Sequence, residues 1–308
     1  MAPEISVVVP TFNRAAVLAH ALEALARQTL EPGRFEVLVV DDASTDETPA
    51  LLQRLSEGRL ALRTIRLPVN RGRSAARNAG IREARGRYIS FVDSDIVVGP
   101  EFLRWHLRTM AAHGGAVLSR GPVVLISALE DLPAARGARL AASPAYLDTA
   151  NAMLPKDVLV AAGLFDEGFP GYGWEDFELG VRLRGLGLRR VFCPQAVAFH
   201  IQPVADAARL PELLAREEER ARSAVYFWRK HPTPQTRWLI QATPLHGTIY
   251  WLAALGGTLD PSRALRLARS LERRGRRGLA HAVVRSVLNL HYYRSLTSEL
   301  DRHAAAMA

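Results

Sequence analysis

The sequence has one cysteine, Cys193, two lysines, and aromatic residues at only 7% of its 308 positions. A lone thiol can form neither an intrachain bridge nor a thiolate metal cluster. A disulfide scaffold is therefore excluded, and a reducing compartment is the natural reading. No stretch is apolar for the length of a bilayer-spanning helix. The nearest, 238–257, is interrupted by Gln241, Pro244 and His246. Met1-Ala2-Pro3-Glu4 offers no basic start for a secretion signal and the apolar run after it is short, so none is expected. Internal repeats and low-complexity tracts are missing too. At 48% hydrophobic and 23% charged, the chain reads as one large globular domain or two modest ones, and disorder and collagen are excluded.

Acidic residues are the scarcer sign: 40 Lys+Arg stand against 31 Asp+Glu, a net charge of +9. Residues 1–208 hold 23 of each sign. Residues 209–308, with 17 basic and 8 acidic side chains, carry the whole excess. The asymmetry suggests two functional regions.

What is there is an alternation. Residues 5–9 form a short β-branched apolar run, a buried strand ended by Pro10. Asn13 can cap a helix whose apolar stripe is Val17, Leu18, Ala21, Leu22 and Leu25. Residues 35–40 are the next strand, stopped by Asp41-Asp42. Ser44 and Glu47 fit a capping box for a helix carrying Leu51, Leu52 and Leu55. Strand 62–67, helix 73–85 with Gly86 as its stop, strand 88–92 and a helix from Pro100 to Met110 follow. Such alternation predicts an α/β fold with a mainly parallel sheet. Further on, 128–146 reads as an Ala-rich irregular loop, 156–163 as a short helix, 175–186 as a helix with a Glu178–Arg182 pair, and 191–199 as a strand. Beyond Pro211 the chain reads as helical, cut by Pro232, Pro234, Pro244 and Pro261.

Acidic residues stand directly after two strands. In open α/β sheets ligands bind outside the carboxyl ends of the strands, which puts Asp41, Asp42, Asp93 and Asp95 on one rim. Asp93-Ser94-Asp95 offers oxygen ligands of the kind hard divalent cations take with diphosphate oxygens. Alone, such a triplet is more often a surface turn. Glu175 and Asp176 open a helix, where acidic residues commonly serve the helix dipole, and where a carboxylate can also act as general base. His200, at the end of a strand, is either a core histidine or an imidazole presented to a metal.

Five blocks carry a resemblance. Val-Val-Pro-Thr-Phe-Asn-Arg (8–14), Val-Asp-Asp-Ala-Ser-Thr-Asp-Glu-Thr (40–48), Asn-Arg-Gly-Arg-Ser-Ala-Ala-Arg-Asn-Ala-Gly (70–80) and Gly-Arg-Tyr-Ile-Ser-Phe-Val-Asp-Ser-Asp (86–95) resemble family 2 glycosyltransferases of the GT-A fold. Gly-Leu-Phe-Asp-Glu (163–167) with Gly-Trp-Glu-Asp-Phe-Glu-Leu (173–179) resembles the C-terminal catalytic segment of galactosyl- and N-acetylgalactosaminyltransferase-like members. The resemblance covers roughly residues 4–202.

It implies a catalytic domain over 1–208, in which residues 1–97 bind the nucleotide and residues 98–208 serve the acceptor and catalysis; the basic helical extension over 209–308, read from charge and pattern, lies outside the resemblance. By the same resemblance, Pro10, Thr11, Arg14 and Ser94 lie along the donor. Asp41 or Asp42 holds the base, expected to be uracil. Arg77 approaches the base or the diphosphate, and Asp93 contacts the ribose or the metal-bound diphosphate. Asp95 and His200 bind Mn²⁺ or Mg²⁺, Asp176 is the base, Glu175 holds donor sugar or acceptor, and Trp174 stacks on a sugar face. The implied activity is inverting transfer from a nucleoside-diphosphate sugar to a glycan or lipid-linked acceptor.

Four competitors are weaker. A sugar-phosphate nucleotidyltransferase would show a Gly-rich phosphate loop near the N-terminus, and 8–14 shows none. A non-catalytic sugar-binding module has no use for Asp95, Asp176 and His200 together. A processive synthase needs spanning helices, and Gln235-Thr-Arg-Trp238 is one residue short of its signature. A glycosidase needs no nucleotide motif. For the tail, Arg263, Arg266, Arg269, Arg273, Arg274, Arg276 and Arg277 crowd one segment, with Leu265, Ala268 and Leu271 at helical spacing. Such a helix fits an anionic membrane surface, hence a cytoplasmic enzyme peripheral on the inner face of the membrane. A solvated basic face or a homo-oligomer contact fits as well. No nucleic-acid-binding motif is present, so nucleic acid is not expected as a partner.

Overall fold

A computed structural model describes residues 2–56, 60–126, 129–131, 143–201 and 209–307. Two compact units make up the chain. The first comprises Met1–Glu167 with Glu175–Gln202, and the second Gly168–Trp174 with Pro203–Ala308.

In the first unit, β1 (Ile5–Thr11), β2 (Phe35–Asp41), β3 (Leu62–Arg66) and β4 (Tyr88–Phe91) alternate with α1 (Ala15–Ala26), α2 (Thr48–Ser56) and α3 (Gly72–Glu83). Then come β5 (Ile96–Val98), α4 (Phe102–Ala112), β6 (Val117–Arg120), β7 (Val123–Ile126), β8 (Ala152–Pro155), α5 (Lys156–Ala161), α6 (Glu175–Gly185), β9 (Arg189–Phe192) and β10 (Ala198–Ile201). The main sheet runs β3-β2-β1-β4-β8-β6-β9, and a three-stranded sheet runs β5-β10-β7. Strands β1 to β4 pair in parallel, whereas β8 is antiparallel to both β4 and β6. The Val-rich β1 and β2 are buried on both faces, Val7, Val9, Val37 and Val39 against α1 and α2, and Val8 and Leu38 on the opposite side with Ile81 of α3. Each such side chain contributes about 1.5–3 kcal/mol on burial.

Four local expectations are corrected. Asn13 does not cap α1: its residue has φ 52° and its side chain accepts from the Thr45 and Asp46 amides. Asp46 does the capping instead, accepting from Ala15 N at 3.2 Å and Thr48 N at 2.9 Å, so it also replaces the expected Ser44–Glu47 box. Gly86 is not a left-handed helix stop. It allows close approach, since a Cβ there would lie 2.5 Å from the backbone nitrogen of Ser6. The expected strand 191–199 is two strands, β9 and β10, in different sheets, so His200 lies inside β10 rather than after a strand. The irregular loop expected at 128–146 falls mostly outside the described residues.

The second unit is helical: α7 (Leu210–Lys230), α8 (Pro234–Leu239), α9 (Pro244–Ala253), α10 (Pro261–Arg273) and α11 (Arg277–Met307). Pro234, Pro244 and Pro261 each occupy the first helical position, where the missing N–H costs nothing. Ala264 and Ala268 of α10 pack against Val284, Val287 and Leu288 of α11. No described helix is long and apolar enough to cross a membrane.

Candidate active site at the carboxyl ends of the strands

Parallel pairing aligns β1 and β2 so that Thr11 sits opposite Asp41 at the sheet edge. Both are buried. Asp41 Oδ1 accepts from Ser44 N at 2.9 Å, while Oδ2 has no hydrogen-bond donor among the described residues and only the Arg66 guanidinium 3.6 Å away. Thr11 Oγ1 likewise lacks a partner among them. Asp42 is already committed: its two oxygens accept from the Arg71 and Gly72 amides, both at 2.8 Å, at the start of α3. Burial pushes its carboxyl up, against the pull of those two bonds. Of the two aspartates, Asp41 is thus the one with an open oxygen.

The Asp93-Ser94-Asp95 turn links β4 to β5. Ser94 is buried, as is most of β1 up to the half-buried Pro10. Asp93 accepts from Arg77 Nη2 at 2.8 Å. Asp95 Oδ2 accepts from Arg14 Nη1, and His200 Nε2 stands 3.5 Å from the same oxygen. Antiparallel pairing of β10 with β5, plus the Ile201 N bond to the Asp95 carbonyl, brings His200 there. Burial raises the Asp95 carboxyl, but His200 and Arg14 outweigh it and hold it at about 2. Burial lowers His200, and Asp95 followed by Asp93 outweigh that, so its imidazole titrates above the ordinary value.

Donor chemistry here suits a hard divalent cation. Two ligand atoms each about 2.1 Å from one ion stand up to about 4 Å apart, so Asp95 Oδ2 and His200 Nε2 can share one. Among the described residues no group of three or more His, Cys, Asp or Glu side chains is placed to hold a metal. Further ligands would come from a diphosphate and water, the usual arrangement for Mg²⁺. The Arg14 guanidinium lies against the same carboxylate oxygen, so a cation there must displace it.

Arg77 departs from expectation. It is 2% exposed and does not reach out to a base or diphosphate. Nη1 donates to Glu175 Oε1 at 2.9 Å and Nη2 to Asp93, so this one guanidinium bridges the β4 turn to the start of α6. Glu175 is buried. Burial raises its carboxyl, but Arg73 at 3.8 Å and Arg77 outweigh it and keep it ionised. Asp176 is partly exposed and accepts from Phe177 N at 2.8 Å. Its carboxyl is pushed well above the ordinary value, by burial first and then by the charges of Glu175 and Asp148. Two adjacent carboxylates therefore have opposite tendencies, the pattern that separates a fixed anion from a proton acceptor.

Trp174 belongs to the second unit and offers no free face to a sugar. It is 5% exposed at φ 73°, its indole N–H donates to the Arg220 carbonyl at 3.1 Å, and its ring stacks on Phe227 at 6.1 Å. Several residues escape a reading of the sequence. Arg66 ends β3 beside Asp41, and the strand-end rule that picks out Asp41 applies to it equally. Arg73 is one helical turn from Arg77, a spacing that signals a shared face. Glu167 closes the 163–167 block, and it accepts from Asn78 at 2.9 Å and Arg71 at 2.8 Å.

Residues 6–126 match the model of Glycosyl transferase family 2. Validoxylamine A glucosyltransferase of Streptomyces hygroscopicus subsp. limoneus is 30% identical over 289 residues, covering 80% of this chain. The chain spans 61% of that relative's length. Two solved structures share the fold at 20% identity. One is the mannosyltransferase PcManGT of Pyrobaculum calidifontis, in complex with GDP-Man and Mn²⁺ (TM-score 0.59, 95% of this chain and 87% of that one). The other is S. aureus TarS 1-349 in complex with UDP (TM-score 0.54, 97% and 91%). The chain carries a family 2 glycosyltransferase domain, and its fold is GT-A.

Proposed function

We propose that this chain is a metal-dependent, inverting glycosyltransferase that moves a sugar from a nucleoside-diphosphate donor, a UDP-sugar, to an acceptor hydroxyl. The observation that carries this is the pair of unpartnered buried oxygens where β1 and β2 end. Each costs about 1–3 kcal/mol while unbonded. A uracil edge answers both, with an N–H for Asp41 Oδ2 and a carbonyl oxygen for the Thr11 hydroxyl. TarS in complex with UDP, on the same fold, supports that choice.

From the base, the diphosphate runs past Arg14 toward Asp93 and Asp95. Asp95 and His200 would hold Mn²⁺ or Mg²⁺, which when bound neutralises charge on the departing nucleoside diphosphate. Asp176 takes the proton of the acceptor hydroxyl as that oxygen bonds to the anomeric carbon. The bond from that carbon to the diphosphate oxygen breaks on the opposite face, so one displacement inverts the configuration. Its raised proton affinity makes Asp176 a stronger base near neutral pH. Glu175, kept anionic by Arg73 and Arg77, contributes to that rise and holds donor sugar or acceptor.

The test is a donor screen reading nucleoside diphosphate released by the full chain, with Mn²⁺ and with excess chelator. Release of UDP that needs the cation is expected. Full activity in chelator overturns the metal role, and release from no nucleotide sugar overturns the activity.

A further inference from the structure

The second unit carries an exposed face that its own helices do not cover. Residues 238–259 contain no Asp, Glu, Lys or Arg. A soluble helix turns its apolar residues inward, yet α9 buries none of its side chains. It meets the rest of the unit through Gly247, where the Tyr293 ring packs too closely for any larger residue, and through Tyr250. Outward it turns Leu245, Ile249 and Leu252, spaced i, i+4, i+7, with Trp251 beside them. Trp238 of α8 and Leu255 after α9 extend the patch, and all six are between 49% and 65% exposed. Solitary exposed apolar residues are ordinary; six on one uncharged stretch are not.

Arginines stand at the border of this patch, one of them, Arg263, paired with Asp260 at 3.2 Å. Arg263 at the start of α10 donates to the Thr258 carbonyl, three residues past Leu255. Arg294 of α11 lies with the Trp251 ring over Gly257. Along α10, Arg263, Arg266, Arg269 and Arg273 alternate with Ala264 and Ala268, which face the core.

We infer that α8, α9 and α10 form a docking surface for an anionic lipid bilayer, with the α9 face entering the headgroup–acyl boundary and the α10 arginines meeting lipid phosphates. Two features must be matched at once, an uncharged face carrying tryptophan and a run of arginines. A bilayer of anionic lipid offers both, since indole rings favour the interface and each basic side chain near the surface adds to binding. A second copy of this chain would bring a second excess of positive charge against the first. A nucleic acid would leave the apolar face in water. The inference concerns the second unit alone and stands whether or not the proposed transferase reading does.

Flotation of the full chain with vesicles of mixed phosphatidylglycerol and phosphatidylcholine tests it. Binding at low salt is expected, falling as salt rises. Quenching of tryptophan emission by brominated lipid is also expected, because Trp238 and Trp251 sit in the docking face. The double variant Ile249→Glu/Leu252→Glu alters only exposed side chains; it should melt as the parent does and bind at least about tenfold more weakly. The triple variant Arg266→Gln/Arg269→Gln/Arg273→Gln should lose about a hundredfold at low salt. Absence of flotation at low salt overturns the inference. So does undiminished binding by the Ile249→Glu/Leu252→Glu variant, which would reduce the effect to charge adsorption. So does a parent dimer that this variant converts to monomer without any vesicle binding.

Discussion

The two halves of the first unit's rim are built differently. In the half made by β1 to β4, loops are held by carboxylates and amides bonding to backbone: Asp41 to Ser44, Asp42 to Arg71 and Gly72, Asn13 to Thr45 and Asp46. In the half made by β6, β8 and α6, buried side chains hold one another. His106 bonds Ser119 at 2.8 Å and Asn151 at 2.9 Å, and Asn151 goes on to the Pro122 and Ala196 carbonyls. The first manner leaves two buried oxygens, of Thr11 and Asp41, without a partner among the described residues. The second ties α4, β6 and the residue before β8 together through side chains. Across the same rim, His200 and Arg14 hold Asp95 at about 2, while burial and the charges of Glu175 and Asp148 raise Asp176.

The largest expected effects set one half against the other. Asp176→Asn is nearly isosteric but cannot take a proton, so turnover should fall about 10²–10⁴-fold with donor binding kept. Asp95→Ala should instead weaken UDP binding in Mn²⁺, read by calorimetry, as well as turnover. Equal loss of donor binding in both variants would erase the proposed division of labour. Falling pH should slow the enzyme as Asp176 takes up its proton, since a raised pKa brings that protonation closer to neutrality.

Arg77 joins the two halves, and removing it tests whether they depend on each other. Arg77→Met leaves Glu175 buried without its 2.9 Å ion pair. Loss of about 3–5 kcal/mol in denaturant unfolding is expected. A variant as stable as the parent would mean that Arg73 alone compensates Glu175.

Next in size is a pH effect confined to the second half. Burial, outweighing the Asn151 bond, holds folded His106 at about 4, against 6.5 when unfolded. Between those values the unfolded chain binds the extra proton. Stability from this group is therefore complete above pH 6.5, is lost as pH falls toward 4, and amounts to about 3 kcal/mol. Urea midpoints of the parent and of His106→Gln, at neutral pH and near pH 4.5, isolate it from the carboxylates. The gap between the two pH values should shrink in the variant.

Legibility follows the same division. Strands β1, β2 and β4 can be read because short apolar runs buried on both faces repeat between helices of 3.6 periodicity, and β3 because it alternates; the strand-end rule then locates Asp41, Asp93 and Asp95. What fails is much of what residues distant in sequence build together. Arg77 meets Glu175 across 98 positions, and no spacing announces that. Strands β9 and β10 read as one run because the turn from Cys193 to Val197 carries no stronger breaker than Pro194. Trp174 looks like a sugar platform in its motif, but its ring is spent on Phe227.

The smallest expected effect concerns Asp46, where local reading chooses the wrong cap. A neighbour-based rule assigns α1 to Asn13 and α2 to Ser44 with Glu47. One exposed carboxylate serves both helices instead, one oxygen to Ala15 N and the other to Thr48 N. This works because Asn13, at φ 52°, turns the β1 loop across the β2 loop and delivers the α1 amides to Asp46. Burial works against its ionisation, but the bonds from Thr48 and Ala15 together outweigh it and hold its carboxyl below the ordinary range. Asp46→Ala should cost about 1–2 kcal/mol, the loss typical of one strong helix cap. Asp46→Asn keeps an oxygen for one helix only, so it should fall between parent and alanine variant. Urea midpoints at unchanged slope measure both. If Asp46→Ala unfolds at the parent's midpoint, the bonds of Asn13 and of Arg14 N to Thr48 Oγ1 hold the two loops without it, and the backbone-anchored half of the rim is simpler than its bonding pattern implies.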